Sequence, residues 1–143
     1  MTPQRINLVT LGVDDLARSR AFYAALGWTE TSWSEGVVFY QMAGMALGLF
    51  GKAALAEDQG RAGMTLETGA ITLAQNFATP EDVDHAFAQA IAAGATSLKA
   101  PEAVFWGGYS GYYADPDGHV WELAHNPFWT VEADGTITIP PME

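Results

Sequence analysis

The sequence predicts an α+β fold made of two βαβββ modules, and three observations predict it. The stretch Tyr109-Ser-Gly-Tyr-Tyr-Ala-Asp-Pro-Asp-Gly-His-Val-Trp-Glu-Leu-Ala-His125 reads as two strands joined by an Asp-Pro-Asp-Gly turn. A weaker copy of that hairpin lies in the first half, at Val37–Phe50, with Gly48 in the position of Glu122. Ahead of each hairpin stands a strand followed by a helix, so the two halves repeat one order of elements.

Each element has its own signal. Ile6–Val13 is rich in branched residues and alternates loosely, as a strand does. Asp14 is placed to N-cap a helix running to about Leu26, with Leu16, Phe22, Tyr23 and Leu26 as its apolar stripe. Gly27 supplies the stop. Thr29–Ser34, Val37–Met42 and Met45–Phe50 follow as strands, the last two joined through Ala43-Gly44. In the second half Ala70–Ala78 reads as a strand. Thr79 is an N-cap, with Pro80 at the first helical position and Asp82 three residues past the cap. Val83, Phe87, Ala90 and Ile91 fall at helical spacing, and Gly94 ends that helix. Strands are expected around Thr96–Lys99, Tyr109–Ala114 and Val120–His125.

These signals organise the 143 residues as a single domain. Module one covers about 5–50 and a linker about 51–69. Module two covers about 70–125, and a C-terminal hairpin about 126–143, turning at Asp134-Gly135. A chain of this length buries roughly 70% of its unfolded surface and needs no disulfide or metal to hold a core. It has no cysteine, which excludes thiolate chemistry and cysteine metal sites. A net charge of -11 argues against nucleic acid as a partner. No apolar run reaches the ~20 residues that span a bilayer, and Met1-Thr-Pro-Gln-Arg-Ile-Asn has no signal-peptide character. A cytoplasmic protein that binds no membrane is therefore expected.

Glu122 is the first candidate for chemistry. Val120, Trp121, Leu123 and Ala124 surround it in sequence, and strand alternation puts Val120 and Ala124 on its face. A carboxylate among apolar groups needs a partner to offset its desolvation. It reads either as a general base or anchor for a cationic or hydroxyl-bearing ligand, or as a carboxylate satisfied by a neighbouring hydroxyl or amide. His125 lies an odd number of residues away and so on the opposite face. The aromatics Trp33, Phe39, Trp106, Tyr109 and Tyr112 are candidates for stacking on a flat or cationic ligand. Trp106-Gly107-Gly108-Tyr109 also allows close approach of a ligand or of another backbone. Asp115-Pro116-Asp117-Gly118 is turn chemistry rather than a carboxylate pair.

Two segments carry a family resemblance. Val9-Thr-Leu-Gly-Val-Asp-Asp-Leu-Ala-Arg-Ser-Arg-Ala-Phe-Tyr-Ala-Ala-Leu-Gly-Trp28 resembles the opening of vicinal oxygen chelate proteins, the superfamily of glyoxalase I, bleomycin-resistance proteins and extradiol dioxygenases. Tyr112-Tyr-Ala-Asp-Pro-Asp-Gly-His-Val-Trp-Glu-Leu123 resembles that family's closing hairpin. The resemblance implies paired modules forming a curved mixed sheet around a cleft, often within a homodimer. It also implies four metal-ligand positions, one near the first and one near the last strand of each module. In this chain they fall at Leu8, Gly48, Leu73–Gln75 and Glu122. Leucine and glycine offer no donor, Gln75 is a weak one, and Glu122 alone fits.

The expected function is therefore small-molecule binding in the cleft, as in the bleomycin-resistance branch, with no catalytic metal or other cofactor. The expected ligand contacts are Glu122, Trp106, Tyr109, Tyr112, Gln75, Trp33 and Phe39. Two alternatives stand beside it. One is a lyase, isomerase or dioxygenase that uses a divalent metal such as Zn, Ni or Fe, or Glu122 as base. The other is a catalytically silent interaction module.

Overall fold

The computed structural model describes residues 1–141; residues 142 and 143, the end of the expected C-terminal hairpin segment, lie outside the described residues. The chain divides into two compact units, Met1–Thr68 and a second beginning at Gly69.

Unit one runs β1 (Leu8–Val13), α1 (Leu16–Ala25), β2 (Ser32–Ser34), β3 (Val37–Gln41), β4 (Ala46–Gly51) and α2 (Lys52–Asp58). Its sheet has the order β1-β4-β3-β2, with β1 parallel to β4 and the other pairs antiparallel. Period-two alternation sends Leu11, Val13, Val38, Tyr40, Leu47 and Leu49 to one buried face. Phe22 and Tyr23 of α1 are buried as well. The rings of Tyr23 and Trp28 stack at 5.1 Å, and Phe22 meets Tyr23 edge-on at 4.9 Å.

Three details depart from the sequence reading. The α1 cap is Asp15, whose carboxylate accepts from the Arg18 amide at 3.1 Å, and not Asp14. Leu16 and Leu26 are only half-buried, and Ser19 takes part of the buried stripe. The segment expected as linker contains α2, because Lys-Ala-Ala-Leu-Ala-Glu-Asp is made of strong helix formers.

Unit two runs β5 (Thr72–Asn76), α3 (Pro80–Ala92), β6 (Thr96–Ala103), β7 (Tyr109–Ala114), β8 (Val120–His125), β9 (Thr130–Val131) and β10 (Ile137–Thr138). Its main sheet repeats the first topology as β5-β8-β7-β6, with β5 parallel to β8. Thr79 caps α3 by accepting from the Asp82 amide at 3.1 Å. Val83 and Ala90 are buried, whereas Phe87 is half-buried and Ile91 exposed. Beneath α3 lie Leu123 and the parallel rings of Tyr113 and Trp121, 6.4 Å apart.

Strand β6 is longer than expected and passes through Pro101. A proline is tolerated there because β6 is the edge strand and its register shifts on both sides of Lys99. The irregular stretch lies over Gly111, where a Cβ would come 2.8 Å from the Pro101 nitrogen. The Asp134-Gly135 turn joins β9 to β10. Among the described residues no helix is long and apolar enough to cross a membrane.

Candidate functional site

Each hairpin positions its site residue by register. In unit two, Asp115 closes the turn: its Oδ1 accepts from the Asp117 and His119 amides at 3.0 and 2.9 Å. The buried Asp115 thus does turn work, as its place in Asp-Pro-Asp-Gly implies. The turn sets Tyr112 opposite Glu122 across β7 and β8. On the parallel side Glu122 pairs with Ala74 of β5, and on the outer side Tyr112 pairs with Lys99 of β6. Paired residues share a face, so Lys99, Tyr112, Glu122 and Ala74 form one row across four strands. Trp121 and Leu123 take the other face, so the row turns away from α3.

The row contains a hydrogen-bonded pair. The Tyr112 hydroxyl donates to Glu122 Oε2 at 3.0 Å, and both side chains are half-buried. Desolvation, and then the hydrogen bond to Glu122 and its charge, raise the Tyr112 pKa above the usual phenol range. The phenol therefore stays protonated and available as a donor. A carboxylate has about four lone-pair sites, and Tyr112 occupies one of them. Chemically, the pair can accept a proton or bind a cation or hydroxyl at Glu122 while offering an aromatic face at Tyr112. Lys99 was not foreseen as a neighbour; its Nζ lies 3.2 Å from Glu102 Oε1.

Unit one presents the corresponding row with different contents. Gly48 on β4 pairs with Thr10 of β1 and Phe39 of β3, as Glu122 pairs with Ala74 and Tyr112. A Cβ at Gly48 would sit 3.3 Å from both the Phe39 ring and Thr10 Oγ1. That is tighter than ordinary contact, so the Phe39 ring lies against the place a carboxylate stem would start.

The other expected site residues are not brought to this row. Gln75 pairs with Leu123, which puts it on the α3 side of the sheet, opposite to Glu122. Tyr109 also faces α3, where its hydroxyl donates to Asp84 Oδ1 at 2.5 Å. That hydrogen bond raises the Tyr109 pKa. Trp33 pairs with Val38, on the α1 side of its sheet, and lies under the Arg20 guanidinium at 5.3 Å from the ring centre. Arg20 is held there by Glu30, at 2.6 and 2.9 Å. Trp106 lies in the β6–β7 turn with its ring against Gly108, where a Cβ would fall 1.9 Å from it. His125 Nδ1 lies 3.0 Å from the Phe77 carbonyl and is committed to the backbone.

The donor chemistry does not fit a divalent metal. The positions that the resemblance implies hold Leu8, Gly48 and Glu122; Leu8 pairs two residues before Gly48, and the β5 residue placed likewise to Glu122 is Thr72, with Ala74 directly opposite Glu122. Among the described residues no group of three or more His, Cys, Asp or Glu side chains is placed to hold an ion.

Comparison with known proteins agrees with the architecture. The solved structures include a glyoxalase-related enzyme from Fulvimarina pelagi, 37% identical, covering 97% of this chain and 100% of that one at a TM-score of 0.90. A glyoxalase/bleomycin resistance protein/dioxygenase family enzyme from Burkholderia phytofirmans PsJN is 25% identical, covering 83% and 96%, at 0.73. A lactoylglutathione lyase from Agrobacterium tumefaciens shares the fold at 23% identity, covering 92% and 100%, with a TM-score of 0.68. Nothing matches among the curated proteins. The family pattern of the glyoxalase/bleomycin resistance protein/dioxygenase superfamily matches residues 5–123. With both opening helices, the first hairpin and all but the last two residues of the second inside that match, the chain belongs to this superfamily.

Proposed function

We propose that this protein binds a small organic molecule on the β5–β8–β7–β6 sheet, at the Glu122–Tyr112 pair, without a catalytic metal. The observation that carries the reading is the hydrogen bond between two half-buried side chains on the face turned away from α3. A half-buried carboxylate with one neutral donor has capacity left for a cation or a hydroxyl, and the phenol ring beside it suits a flat or aromatic group. The net charge of -11 favours approach of a cationic ligand. Lys99 in the same row is offset by Glu102 at 3.2 Å, which leaves Glu122 as the charge a cationic ligand meets there.

A thermal-shift screen against cationic aromatic compounds tests this. Stabilisation by a compound, lost in Glu122→Gln, is expected. A broad panel that shifts neither protein removes the reading. A second reading, a metal-free lyase or isomerase with Glu122 as general base, is favoured by the same Tyr112 donor, which can protonate a developing oxyanion. Turnover of a stabilising compound separates it from simple binding. We further propose that the protein works as a homodimer, which sedimentation equilibrium tests: a monomer at micromolar concentration refutes it.

A further inference from the structure

Unit one contains an open cavity of about 750 Å³ whose lining comes entirely from residues within 13–68. It lies where β1 ends at Val13 and Asp14, where α2 begins at Lys52, and along the stretch 64–68. Its size is in the range of small-molecule sites. Its chemistry is mixed: Met64 and Leu66 give apolar wall, while Lys52, Asp14 and Glu67 bring charge.

Lys52 is seated rather than waving in solvent. Its stem packs over Gly12, where a Cβ would come 3.1 Å from Lys52 Cγ, and only 22% of the side chain is exposed. This aims the ammonium at the end of β1, 3.2 Å from Asp14 Oδ1. An ammonium has three donors, so the contact with Asp14 leaves Lys52 able to meet a second carboxylate. The lining thus presents opposite charges 3.2 Å apart beside an apolar wall, and Glu67 adds a second negative group.

We propose that this cavity binds a small zwitterion with adjacent ammonium and carboxylate groups and an apolar tail, the chemistry of an apolar α-amino acid. The ligand carboxylate meets Lys52, its ammonium meets Asp14 and Glu67, and its tail lies on Met64 and Leu66. A purely anionic ligand is disfavoured by the two lining carboxylates, and a purely cationic one by Lys52. This site is separate from the Glu122–Tyr112 row and stands or falls without it.

The test is amide NMR of the full chain titrated with L-leucine, with isopentylamine and 4-methylpentanoate as analogues that each lack one charge. Saturable shifts at residues 51–54 and 64–68 are expected with leucine, and each analogue should bind at least about tenfold more weakly, as loss of a charge-assisted contact requires. Lys52→Met keeps the packed stem and should weaken leucine by a similar factor, while Glu122→Gln should leave it unchanged. The proposal is overturned by any of four results. These are no saturable shift with leucine, an analogue binding as well as leucine, unaltered binding in Lys52→Met, or shifts centred on 110–124 instead.

Discussion

Replacing Tyr40 with phenylalanine should stabilise the protein, against the usual expectation for a buried tyrosine. Tyr40 is 2% exposed, and among the described residues its hydroxyl has no hydrogen-bond partner. A buried, unsatisfied polar group costs roughly 1–3 kcal/mol. The ring contacts survive the change, since Tyr23 and Trp28 each sit with ring centres 6.1 Å from that of Tyr40. A gain of about 1 kcal/mol is therefore expected at neutral pH, or roughly 2–4 °C in Tm for a chain of this size.

Alkaline pH sharpens the test. Burial, with the Glu30 charge adding to it, pushes the Tyr40 pKa up to about 12. The unfolded chain, with an ordinary pKa near 10, then releases this proton first as pH rises. The stability due to the neutral phenol is complete below pH ~10 and lost between ~10 and ~12, amounting to about 3 kcal/mol. Phenylalanine has no such proton, so the gap between Tyr40→Phe and the natural protein should widen above pH ~10. Urea unfolding followed by tryptophan fluorescence at pH 8 and pH ~11 reads both effects. A variant less stable by ~1 kcal/mol at pH 8, or a gap that does not grow with pH, refutes the reasoning.

Other outcomes follow from the two sheets. Gly111→Ala should cost about 2–3 kcal/mol in urea unfolding, because its Cβ meets the backbone of Pro101 and Lys99, which cannot rotate away. Gly48→Glu should destabilise by about 1–3 kcal/mol, and Phe39→Ala in the same chain should recover part of that loss; an uncoupled, additive pair would contradict the close contact drawn here. After dialysis against Zn²⁺ or Ni²⁺, metal analysis should find less than a stoichiometric amount bound. A full equivalent that disappears in Glu122→Gln would show that the donor set suffices after all.

Much of this was legible in the sequence, and the rest was not for physical reasons. Hairpins carry their register in the length of their turns: the Asp115 amide bonds to the His119 carbonyl, one residue past the Asp-Pro-Asp-Gly run, and Tyr112 and Glu122, each three residues outside that pair, face each other. Parallel pairing has no such turn, so the sequence leaves the β5 partner of Glu122 open across Leu73–Gln75; the register makes it Ala74 and turns Gln75 to the other face. Lys99 was hidden by the irregular register of β6 around Pro101, which breaks the alternation that a reader relies on. Helix α2 had a signal in its alanines and leucine, masked by the Glu-Asp-Gln-Gly run that follows. Composition does not sort the aromatics by face. Trp33 and Tyr109 look alike to Phe39 and Tyr112 in composition, but each meets a charged partner on the helix side of its sheet, Arg20 and Asp84.

The central claim is that ligand recognition resides in the Glu122–Tyr112 pair of unit two. Amide NMR mapping with the compound that stabilises the protein best in the thermal screen tests it most directly. Shifts concentrated at residues 110–114 and 120–124, with affinity lost in Glu122→Gln and reduced in Tyr112→Phe, are the predicted result. Shifts of equal size in the natural protein and in Glu122→Gln would contradict it.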